Sequence, residues 1–329
     1  MSPACLRAGV VWLTLALTGV LGCATHQQKK LEAHYGPSES ILEVVATLRR
    51  HVPDDTYRFP PATDFTGRNV YLSALLRLES IERIHADALR TGYMSGVIAF
   101  SKGRALERIR GYDVAAMQYR EAARLDEELA AEALRSAKVC DGLAEARQIG
   151  LQPVDPLDPD PEPLLLPAVI DADWVVTVMD QRTALLSYLL EENRDNHYEA
   201  VIREEIERGE EIRASWFEQH RYDLPNGQVR SISELQRVVS RNAASKEYLR
   251  HMLRLAELYD ILAHEYVEAV PPVSLDFDPA RFQDLVDPAV HLYESVASND
   301  GSTEKLEASR RLEAFLAFTL VVDRDRFTF

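Results

Sequence analysis

The sequence predicts an all-α fold in two helical domains, and three observations carry that prediction. Apolar residues recur at three- and four-residue intervals through two long stretches, helix-start signals precede several of them, and a proline-rich segment separates the stretches. With 329 residues the chain is long enough for one large domain or two modest ones with buried cores.

Ser40 and Glu43 have the spacing of a capping box, in which each side chain satisfies a backbone N–H left open by the first turn. A helix is predicted to start there and to stop before Pro53, and Pro60-Pro61 breaks the chain. From Asn69 to Gly150 the pattern is helical almost throughout, with Leu72, Leu75, Leu76, Ile81 and Ile84 recurring along it. Residues 151–167 then carry proline too often for a helix or a central strand, so 151–170 reads as a stiff acidic linker between domains 39–150 and 171–329. Its acids Asp155, Asp158, Asp160 and Glu162 lack the glycine and the alternation of an EF-hand calcium loop.

The second half restarts at Asp171 with Val175, Val178, Leu185, Leu186, Leu189 and Leu190 at helical spacing, and a further helix runs from about Asn196 to Trp216. A turn is predicted at Pro225-Asn226-Gly227, and Ser231 with Glu234 forms a second capping-box spacing. The stretch it opens runs to Val270, with a break near Asn242, before Pro271-Pro272 stops it. Asp278-Pro279 and Asp287-Pro288 each place a capping acid before a proline suited to a first turn. A last helix is expected from Thr303 to Leu320, and Phe327–Phe329 is the one segment with strand character.

The formal net charge of −16 argues against a basic surface for nucleic acid or anionic lipid. Cysteine occurs at positions 5, 23 and 140. Cys140 lies in a helical stretch and reads as a small buried hydrophobe.

Near the start, a single cation, Arg7, precedes a low-charge apolar run from Ala8 to Leu21, whose 14 residues fall short of the roughly 20 a membrane-crossing helix needs. The run ends in Val20-Leu21-Gly22-Cys23, which resembles the lipobox of bacterial lipoproteins. That resemblance implies a signal peptide over residues 1–22, lipidation of the Cys23 thiol with fatty acyl chains such as palmitate, and a lipidated tether over 23–38. Ala24 stands where lipoproteins kept at the inner membrane often carry aspartate, which implies anchoring in the outer membrane, facing the periplasm. More than one attached chain makes release into water negligible.

Between Ala99 and Asp126 the residues resemble a tetratricopeptide (TPR) repeat, a helical hairpin of about 34 residues. Gly103 and Leu106 lie on its first helix, Gly111-Tyr112 at the turn, and Ala115, Tyr119 and Ala122 on its second. Small residues let two helix backbones approach, while the large ones fill the space beside them. The resemblance implies TPR-like hairpins in residues 39–150 and a concave surface for a protein segment. Because the matched positions are structural, it assigns no binding residue.

Catalytic signals are weak. His264-Glu265-Tyr266-Val267-Glu268 resembles the zinc-protease helix motif, with Glu268 in place of the second histidine and no identifiable third ligand. The acids Glu204, Glu205, Glu207, Glu210 and Glu211 interleave with Arg203, Arg208 and Arg213, the pattern of a solvated helix face. His51, His85, His197, His220, His251 and His291 share no spacing, and there is no G-x-S-x-G elbow, phosphate-binding glycine loop or paired-cysteine metal site. The expectation is therefore a non-enzymatic scaffold or adaptor with an unidentified protein partner and no cofactor, metal or catalytic residue. The alternatives are a periplasmic hydrolase of cell-wall material, using His264 or an acidic pair, and a ligand-binding lipoprotein that serves a transporter.

Overall fold

Four helices begin where a short polar side chain closes the first turn. Asn69, Asp126, Asp171 and Asp278 each accept hydrogen bonds from the backbone N–H groups two and three residues on, which would otherwise lack partners. The computed structural model describes residues 36–55, 67–92, 94–151 and 171–327; among these it is all-α, with no β-strand. The signal-peptide, lipidation-site and linker assignments, and Pro60-Pro61, fall outside the described residues.

In chain order the helices are α1 (Pro37–Asp55), α2 (Val70–Ile84), α3 (Ala86–Leu89), α4 (Ser95–Arg108), α5 (Tyr112–Leu125), α6 (Glu127–Gln148), α7 (Ala172–Glu192), α8 (Tyr198–Gln219), α9 (Gly227–Arg241), α10 (Tyr248–Ala269), α11 (Pro279–Ala297) and α12 (Glu304–Phe327). Their order agrees with the sequence pattern, and the differences lie at proline and serine. Helix α1 starts at Pro37, whose missing N–H costs nothing in a first turn, and it runs past Pro53 to Asp55. Ser231 does not open α9. It lies one turn inside, where its hydroxyl donates to the carbonyls of Gly227 and Phe217, and the helix starts instead behind Asn226 in the left-handed conformation (φ 55°). Helix α11 passes through Pro288 without stopping, held by buried Ala289, Tyr293 and Val296 beyond it. Phe327 closes α12 and belongs to no strand.

Each helix packs chiefly against its neighbours in sequence. Helices α1, α2 and α4 enclose one apolar core, with Ile41, Tyr71 and Leu78 at its centre. A second core runs through α5, α6, α7 and α8, from Tyr119 and Cys140 to Leu189 and Ile202. A third, from Leu235 to Val322, joins α9 to α12.

Helices on either side of the expected 151–170 boundary thus share a core, and residues from Pro37 onward form one compact unit. Gly142 permits this junction, since a Cβ there would sit 3.1 Å from the Leu189 methyls of α7. At the hairpin of α4 and α5, Gly103 presents backbone to the Tyr119 ring, while Ala115 and Ala122 are fully buried.

Candidate functional site

Helix α8 carries the acids expected on a solvated face, and the structure corrects that expectation. Glu204, Glu205, Glu207 and Glu210 are all buried, Glu205 at 2% exposure and Glu207 at 0%. Their partners come largely from other helices. Glu204 meets Arg108 of α4 at 3.3 Å and Arg208 of its own helix at 3.0 Å. Glu205 accepts two hydrogen bonds from Arg110, at 2.7 and 2.8 Å, and one from the Tyr112 hydroxyl at 2.8 Å. Glu207 accepts from Ser245 and contacts His251 Nε2, both at 2.6 Å. Glu210 accepts from Arg241 and Asn242, and Arg213 bridges Asp180 and Glu234.

Arg182 of α7, fully buried, reaches Glu205 at 3.5 Å. Burial by itself would raise the Glu205 carboxyl, but the charge and hydrogen bonds of Arg110, with Arg208 and Arg182 beyond, bring it down to about 2. Through these contacts the row ties α8 to α4, α7 and α9 and to the turns that carry Arg110 and Ser245.

A further buried carboxylate, Glu107 of α4, is 1% exposed. Its Oε2 accepts from the Tyr119 hydroxyl at 2.8 Å and the Tyr198 hydroxyl at 3.0 Å, and Cys140 Sγ lies 3.9 Å away. Burial, reinforced by the Glu107 charge, pushes the Cys140 thiol and both phenols up. Cys140 is fully buried in the core, the small buried hydrophobe that its helical stretch suggests. Nothing in the sequence pattern singled out Glu107, Arg108, Arg110 or Arg182, because each reads as an ordinary polar position on a helix.

A cavity of about 590 Å³ is lined by residues of α1, α4 and α6, by Met94, and by His197 and Val201 at the start of α8. Leu42, Val45, Leu48, Val97, Phe100, Leu129 and Val201 form apolar walls, and Arg49, Ser101, Arg104 and His197 contribute the polar groups. The Arg104 guanidinium lies 5.5 Å from the Phe100 ring centre and 5.6 Å from that of Tyr198. Its Nη1 is 2.5 Å from His197 Nε2, and Glu107 lies 3.6 Å behind it. Burial and the Arg104 charge lower the His197 pKa, which favours the neutral imidazole whose Nε2 accepts from Arg104.

The zinc-like motif does not assemble. His264 is 2.9 Å from Asp260 and stacks on Phe318 with ring centres 3.7 Å apart, while Glu265 pairs with Arg221 at 2.7 Å. Among the described residues, no group of three His, Cys, Asp or Glu side chains could hold a metal ion. His220 stacks on Trp216, and His251 is buried against Glu207. No described helix is long and apolar enough to cross a membrane. Compared with known proteins, the chain matches no family profile and no curated sequence.

Proposed function

We propose that the chain is a lipoprotein anchored through Cys23 in the outer membrane, facing the periplasm, whose helical body is a scaffold or adaptor for protein–protein contact. The address rests on the Val20-Leu21-Gly22-Cys23 lipobox and the short apolar run before it. The scaffold reading rests on one observation above all: α4, α5 and α6 stack in sequence around small residues and leave apolar side chains uncovered. Val114 and Met117, one turn apart on α5, are exposed, Met117 at 64%, and Leu134 is exposed on α6. Seating small residues between successive helices is the packing rule of TPR-like arrays, which bind protein segments on an open face.

In-cell crosslinking from intact cells, followed by recovery of the tagged protein, tests this reading. A defined partner is expected, with recovery reduced by Met117→Asp and lost when Cys23→Ala removes the lipidation site. Recovery of no partner in repeated experiments overturns the scaffold role.

A further inference from the structure

The 590 Å³ cavity between α1, α4, α6 and α8 lies within the volume range of small-molecule sites, about 300–1,000 Å³. Its walls are aliphatic and aromatic, suited to a hydrocarbon chain that makes no directional demands. Its charged groups are of one sign. Arg49 and Arg104 line it, and no aspartate or glutamate is among its described lining residues, although acids outnumber bases 53 to 37 in the whole chain. The two cations differ in availability. Arg104 is held by its contacts with His197, Glu107 and Glu132, whereas Arg49 is exposed and makes no ion pair with any described residue. Ser101 adds a hydroxyl.

We propose that this cavity binds a free long-chain fatty acid, with the hydrocarbon along Val45, Val97, Leu129 and Val201 and the carboxylate at the rim beside Arg49. An aliphatic wall with one sign of charge at its mouth matches an amphiphile with an anionic head, and an exposed guanidinium offers a carboxylate paired donors. Each methylene withdrawn from water strengthens binding about fourfold, so affinity rises steeply with chain length until the cavity is full.

The test is titration of the full chain, stripped of lipid, with palmitate, dodecanoate and hexadecanol below their aggregation concentrations. Palmitate is expected to bind one to one, dodecanoate at least tenfold more weakly, and uncharged hexadecanol about tenfold more weakly. Arg49→Glu lies on the exposed rim and should weaken palmitate at least tenfold without changing helicity. Val97→Trp fills the cavity and should abolish binding. If that variant loses its circular dichroism signal, Leu129→Trp replaces it from the α6 wall. Absence of palmitate binding, or binding indifferent to a folded cavity-filling variant, overturns the site. Equal binding of palmitate and hexadecanol, or no effect of Arg49→Glu, overturns the anionic head.

Discussion

Arg110 holds Glu205 by two parallel hydrogen bonds, Nε to Oε1 at 2.7 Å and Nη2 to Oε2 at 2.8 Å, joining positions 95 apart in the chain. The pair sits where the α4–α5 turn meets α8, with Arg110 itself in the left-handed conformation (φ 65°). Strain at a non-glycine turn residue is tolerable when the side chain is fixed this firmly.

This pair makes stability depend on acid pH. The folded carboxyl of Glu205 is lowered from 4.5 to about 2, so its contribution is complete above roughly pH 4.5 and is lost as pH falls toward 2. The shift corresponds to about 3 kcal/mol. Urea unfolding at pH 7 and pH 3 should show about 2 kcal/mol of that loss in the wild type, the rest following below pH 3. Glu205→Gln leaves Arg110 and Arg182 without their buried partner and should cost about 3–5 kcal/mol at pH 7 while flattening the acid dependence. Equal stability of the variant and the wild type at pH 7 would contradict the burial of this row.

Gly103→Ala should destabilise the hairpin of α4 and α5. In an open helix that change gains up to about 1 kcal/mol, but here the new Cβ would meet the Tyr119 ring at 2.7 Å. Tyr119 is fully buried and bonded to Glu107, so it cannot give way freely. A net loss of about 1–3 kcal/mol is expected in chemical unfolding, and a gain would show that the backbones are farther apart than described.

Some of this architecture was legible because it is written in local chemistry. Asn69, Asp171 and Asp278 announce helix starts through side chains that bond to their own backbone, and Gly103, Ala115, Tyr119 and Ala122 announce a close helix pair by their sizes. The α8 row was misread because alternating acids and arginines look the same whether their partners are water and each other or cations on neighbouring helices. Only the tertiary arrangement of Arg108, Arg110 and Arg182 decides that. Pro288 misled for the opposite reason: its local signal is genuine, yet burial of Ala289 and Tyr293 carries α11 through it. The cavity had no local signature, since its walls come from four helices spread between positions 42 and 201.

Cys140 should resist thiol reagents in the folded protein. It is fully buried, and burial together with the Glu107 charge disfavours its thiolate. A maleimide or disulfide probe is expected to leave it unmodified under native conditions and to label it promptly in denaturant. Rapid native labelling would contradict its place in the core.

His264→Ala should act on packing alone. The change removes the stack on Phe318 and the contact with Asp260, at a cost of about 1 kcal/mol. The zinc content of the purified protein should be the same in variant and wild type. Stoichiometric zinc in the wild type that disappears in the variant would revive the hydrolase alternative.

Mass spectrometry of the mature N-terminal peptide tests most directly whether this helical body is tethered by lipid. The predicted result is a peptide that begins at Cys23 and carries a diacylglycerol thioether, with residues 1–22 removed. A mature chain that begins at another residue, or at an unmodified Cys23, would contradict both the anchoring and the proposed location.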